Sequence, residues 1–249
     1  MDTITNTLSS TAIGTVFSKE NLDEYLQTNN LSRKSITEFT IPNNVTEIGY
    51  HAFQDCSSLT SITIPNSVTE IGEGAFSCSN SFYPNNVTES FSGRSRLTTI
   101  TIPDSVTKIG DSAFADCTSL TSITIPDSVT NIGRWAFSDC TSLTSITIPN
   151  SVTEISQGTF MGCNSLTAIN IPDSVTEIGD YAFNECSDLA YINIPAGVTK
   201  IGDHAFWKCT SLENINIPDG AKRIGMGSFS ECSSLTSINI PYGVTKIGN

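Results

Sequence analysis

Apolar and polar positions along this chain follow a pattern that returns every 23 residues, shown once in full by residues 126–148, PDSVTNIGRWAFSDCTSLTSITI. In Leu120-Thr-Ser-Ile-Thr-Ile125 the isoleucines alternate with Ser122 and Thr124, the two-residue period of a strand built from β-branched residues. Pro126 ends that strand because it has no N–H for a ladder, and Asp127-Ser128 bring turn chemistry. Val129-Thr-Asn-Ile132 reads as a second, shorter extended piece, closed by Gly133, which can take a positive φ. Ala136, Phe137 and Cys140 then share a face, which predicts one helical turn over Arg134 to Cys140.

Prolines mark the units at 42, 65, 84, 103, 126, 149, 172, 195, 218 and 241, and seven of the nine intervals are 23 residues. A fixed period of this length predicts a solenoid in which each coil packs on its neighbours. One coil buries too few apolar side chains to offset the entropy of ordering its own backbone, so stacking must supply the rest. The expected result is one parallel sheet of about nine strands on one face, with short extended and helical turns on the other. The register fails between Pro65 and Pro103, a span of 38 residues. It reads as a normal coil with an irregular excursion at about 77–91, or as two coils each four residues short; the excursion is preferred because Ser81 and Tyr83 make poor inward strand residues. Upstream, Ser18 is placed to N-cap a short helix carrying Leu22, Tyr25 and Leu26 on one face. The domain reading is therefore an N-terminal cap over 1–34 and a solenoid over 35–249.

The recurring phrase IP-D-S-V-T-x-IG-x-x-AF-x-x-C-x-SL-T-x-I, with its L-x-x-I-x-I strand, resembles the BspA-like (Treponema pallidum type) leucine-rich repeat family across Ser35 to Asn249. The resemblance implies a leucine-rich-repeat solenoid with a parallel sheet on one face. It further implies non-enzymatic binding of proteins, often in adhesion by microbial surface proteins.

Charge and chemistry narrow the picture. A net charge of −13 argues against nucleic acid and anionic membranes as partners, and no apolar run is long enough to span a bilayer. The opening MDTITNTLSSTAIGTVF lacks the basic start and apolar stretch of a signal peptide, so the residues read as cytoplasmic where the resemblance implies the cell surface. Seven of the eight cysteines share one repeat position and Cys78 comes one residue early, which predicts a column of buried free thiols; disulfides and a metal site are the less favoured alternatives. No catalytic set emerges and no cofactor is expected. His51 and His204 are isolated and expected to be solvated, and Asp104, Asp127 and Asp173 read as turn caps after proline rather than as calcium ligands.

The variable positions point to a partner instead. On the outward sheet face the repeat's threonines give way to Asn170, Asn193, Asn216 and Asn239, with Tyr191 and Asn214 beside them. Amides donate and accept, and Tyr191 offers an anchor where other coils carry small residues, so this face is the expected protein-binding site. A rival set follows the Ile-Gly pairs: Arg134, Trp135, Tyr181, His204 and, three residues on, Trp207. The last strand, Leu235 to Ile240, is followed by only half a coil, so a contact through this edge, or a longer parent chain, is also expected. The leading functional reading is a protein-binding solenoid of adhesion type; the alternative is a structural subunit that meets neighbours through its ends or flanks.

Overall fold

The computed structural model describes residues 14–78 and 95–248. They form a parallel β-solenoid of about eight turns, with one α-helix among the described residues. The predicted strands stack in register: Ser122 pairs with Ser145, Ile123 with Ile146 and Thr124 with Thr147. Six of them, from Thr99–Thr101 to Asn214–Ile215, form one parallel sheet, and Glu38–Thr40 with Ser61–Thr63 forms a separate pair on the same face.

The single nine-stranded sheet of the sequence reading is corrected in two respects. The first face is divided, and the short extended pieces make ladders of their own. Two five-stranded parallel sheets run along the second face, one from Val16–Phe17 to Asn131–Ile132 and the other from Glu154–Ile155 to Lys246–Ile247. Backbone groups at a coil edge need partners, and the neighbouring coil at strand spacing supplies them. The two sheets part at one residue. Gly133 N–H donates to Ile109 O and Gly179 N–H to Ile155 O; between them stands Ser156, whose hydroxyl takes Ile132 O at 2.9 Å.

The freedom of glycine to take a positive φ is not used at that position. Gly133 and its equivalents are not among the residues of positive φ. They are glycine because the coils approach closely here: a Cβ on Gly179 would lie 2.7 Å from Gln157 N of the preceding coil. Positive φ falls instead two residues later and again at the aspartate before the cysteine, at Trp135 (58°) and Asp139 (56°).

The expected helical turn over Arg134 to Cys140 is therefore a run of tight turns. The N–H groups of Trp135, Phe137 and Asp139 donate to Gln157, Thr159 and Met161 O of the next coil, while Ser138 and Cys140 donate three residues back. Splitting the donors this way joins the third side of the solenoid to its neighbour, which a helical turn could not do.

Inside, one phenylalanine per coil builds a column: Phe17, Phe53, Phe76, Phe114, Phe137, Phe160, Phe183, Phe206 and Phe229 stack with ring centroids 5.1–5.8 Å apart. The eight cysteines are free and buried. From Cys140 to Cys232 each thiol in the repeat position donates to the carbonyl of the phenylalanine one coil back, as Cys140 does to Phe114 O, at 3.0–3.2 Å. Phe76 stacks on Phe114 and Ile71 pairs with Ile109, so these coils are adjacent despite their separation in sequence. Most of the excursion expected at 77–91 lies outside the described residues.

At the N-terminal side, Ser18 caps the helix Lys19–Thr28 through a reciprocal pair with Asn21, and Leu22 and Leu26 are buried over the first coil. Arg33 completes this side. Its guanidinium donates at 3.0 Å to both Ala52 O and Gln54 O, the carbonyls that in the next coil, as Ala75 O and Ser77 O, accept N–H groups from Phe53 and Asp55. One side chain thus stands in for a missing coil.

Candidate functional site

Because inward Ile169, Ile192 and Ile215 are buried, the residues between them must face water. Tyr191 is 59% exposed, with Ala168 and Asn214 as its register partners on either side. Asn170 pairs with Asn193, Asn216 bridges to Asn239, and all four are exposed. The structure therefore brings all six residues of the expected face together, on a sheet fixed beneath by stacked coils. They offer an open ring among amide donors and acceptors, with no charged group in the set.

The rival set is also gathered, but differently. Trp135, Tyr181 and His204 occupy one repeat position, each with positive φ because its N–H turns to the next coil. The Trp135 indole leans across Gly158, where a Cβ would collide with the ring, and reaches Tyr181 with centroids 6.3 Å apart. Tyr181 stacks on His204 at 5.2 Å, and Trp207 meets His204 edge-on at 6.0 Å. Trp207 donates its indole N–H to Glu231 at 3.2 Å while the Lys208 ammonium lies 4.2 Å over its ring. All four rings are half-buried and Arg134 alone is exposed. Rings stacked along the solenoid axis occupy one another's faces and leave edges to a partner.

His51, expected to be solvated, is buried at 5% exposure. Its ring packs over Gly74 and edge-on to Tyr50, and burial lowers its pKa. His204 is half-buried in the aromatic row. The sequence reading missed Asp139, whose carboxyl is held in the turn column between Asp116 and Glu185. Burial, reinforced by those two carboxylates, pushes its pKa up to about 7. The signal was present in the acidic residues that precede five of the eight cysteines, but their depth was not. Among the described residues no group of His, Cys, Asp or Glu is arranged to hold a metal ion, and no helix is long and apolar enough to cross a membrane.

The family model described as the BspA type leucine rich repeat region matches in six copies over residues 24–88, 87–212 and 155–249. The chain belongs to this family. BspA-type repeats generally mediate protein interaction or surface adhesion, and the family is not known for enzymes. A solved leucine-rich repeat protein from Bacteroides ovatus is 36% identical over 86% of the chain, with a TM-score of 0.74. The T. pallidum leucine-rich repeat protein is 26% identical over 72% of the chain and 66% of its own length, at a TM-score of 0.51. The pneumococcal vaccine antigen PcpA shares the fold at 20% identity and a TM-score of 0.51, covering 86% of this chain and 58% of its own. The chain spans 52% of the length of the Bacteroides protein. No curated protein matches it.

Proposed function

We propose that this BspA-type solenoid binds a protein partner without catalysis, as an adhesion-type module, through the polar sheet face centred on Tyr191. The observation that carries the reading is the exposure of Tyr191 on a sheet whose other outward positions are small or amide side chains. An exposed aromatic ring with few rotatable bonds loses little entropy when a partner covers it, and the surrounding amides satisfy a partner's backbone. The flank of Trp135, Tyr181, His204 and Trp207 supports a rival reading, weakened by the mutual stacking of its rings.

The test is capture of partners from native material followed by affinity measurement. Tyr191→Ala is expected to weaken binding by at least ~1 kcal/mol, as loss of an anchor does, with Trp135→Ala near neutral. The reverse ranking places the site on the flank. A second reading, a structural subunit meeting neighbours through its edge, is favoured by Ile240 and Ile247, which are 44% and 53% exposed on the last described coil. Light scattering decides it: concentration-dependent association abolished by Ile240→Lys and Ile247→Lys supports the edge contact, and a strict monomer sinks it.

A further inference from the structure

Seven cysteines stand fourteen residues after their proline, and Cys78 stands thirteen after Pro65. That offset has a local cause. In neighbouring coils the thirteenth residue, Asp55 or Asp116, takes a left-handed φ near 60° and donates its N–H to the next coil. Cys78 keeps the ladder bond, N–H to Ala115 O at 3.0 Å, but is not among the residues of positive φ. Its thiol therefore enters the cysteine column off register, above Cys117.

The consequence is a contact that the rest of the column lacks. The Cys78 and Cys117 thiols both point at one carbonyl, Phe76 O, at 3.9 and 3.5 Å, and each shifts the other's titration. The in-register thiols are each committed to a separate carbonyl. The ladder bond sets Cys78 beside Asp116 at a strand spacing of about 4.8 Å; one further residue along the chain, about 3.8 Å, puts the Cα of Cys117 roughly 6 Å away, within the range a disulfide bridges. Cys78 is also the most exposed cysteine at 9%, against 1% for Cys117.

We propose that Cys78 and Cys117 are a redox-responsive pair which a low-molecular-weight disulfide converts to an intrachain bond. The Cys78 thiolate attacks one sulfur of the reagent and expels the other half as a thiolate, which takes up a proton. Cys117 then loses its proton to solvent and attacks the Cys78 sulfur, expelling the second half. Two protein thiols are oxidised, one small disulfide is reduced to two thiols, and one S–S bond ties the residue where the repeat register fails to the following coil. The division of roles follows the surroundings. The neighbouring Cys117 thiol and Ser95 hydroxyl favour the Cys78 thiolate, whereas the Cys78 contact and full burial hold Cys117 protonated. Cys232, exposed to nearly the same degree at 8%, has a pKa pushed up to about 11 by burial and serves as the internal comparison.

The experiment incubates the native 249-residue chain with a graded ratio of oxidised to reduced glutathione. Free thiols are then trapped by alkylation at low pH, and peptides are mapped by mass spectrometry. The expected result is one linked peptide pair, Cys78 to Cys117, with the other six cysteines alkylated as thiols. In Cys78→Ser the same treatment should leave all seven remaining cysteines alkylated. In Cys117→Ser a glutathione adduct should accumulate on Cys78. Full alkylation of Cys78 in the native chain overturns the proposal, as does a linkage between any other two cysteines. Since the principal readout is the unmodified chain, a variant that fails to fold leaves the decision intact.

Discussion

Two side chains carry disproportionate weight. Arg33 answers two carbonyls that stacked coils would otherwise satisfy, and it also binds Lys19 O and Asp23, joining the helix to the first coil. Arg33→Met keeps its bulk but strands those carbonyls, and should cost about 1–3 kcal/mol. Faster hydrogen exchange is expected around Phe53 and Asp55, with the far coils unchanged; a uniform loss across the chain contradicts the capping role. Asp139 acts through pH. Its folded pKa, about 7, lies above the ordinary 3.8, so the folded chain holds this proton where the unfolded chain has released it. The contribution of this group is then greatest below about pH 4, falls as pH rises towards 7, and stays low above that. Asp139→Asn removes the charge, and should raise stability by roughly 4 kcal/mol at pH 8 with no gain at pH 4. Thermal midpoints of both proteins across that range check the sign.

At the level of the element, the strand, its proline stop and the N-capped helix were legible, because each follows from chemistry local to a few residues. The glycine that closes the second extended piece in most coils was legible as a special position, but its cause was not. Its cause is the backbone of the preceding coil, 23 residues away in sequence, which no local reading of φ contains. The turn over Arg134 to Cys140 was misread for the same reason: its N–H groups look outward to the next coil. The residues of the candidate face were legible from the repeat, since they are the letters that the repeat leaves free. The relative openness of Tyr191 and Trp135 was not, because it depends on Gly158 making room for the indole one coil on. A direct test of the close-approach argument is Gly202→Ala. Its Cβ would collide with Asp180 N and Gly179 C, both backbone atoms that cannot swing aside. The cost should be about 1–3 kcal/mol, with the bond from position 202 to Ile178 O lost to exchange. Ser156 shows what that looks like within the chain itself: a side chain at this position, and a ladder divided there. If Gly202→Ala is neutral, coil approach does not account for the glycine.

For the molecule as a whole, stability is a chain of nearest-neighbour terms, since every ladder and the phenylalanine column link one coil to the next. Such an object unfolds as one unit only while each interface is strong enough to transmit the loss of its neighbour. Phe183, fully buried between Phe160 and Phe206, tests this. Phe183→Ala should cost about 3–5 kcal/mol, because the stacked rings above and below are held by ladders and cannot close the gap. A globular core would spread that loss over the whole transition. Here it falls on two adjoining interfaces and should uncouple the coils before residue 183 from those after it. Urea unfolding is then expected to broaden, with a smaller dependence on denaturant, because each step exposes less surface than unfolding of the whole chain. Exchange should show the coils around Phe114 and Phe137 opening less readily than those beyond Phe206. A single transition of undiminished steepness, merely shifted to lower urea, would mean that the solenoid is coupled over more than neighbouring coils.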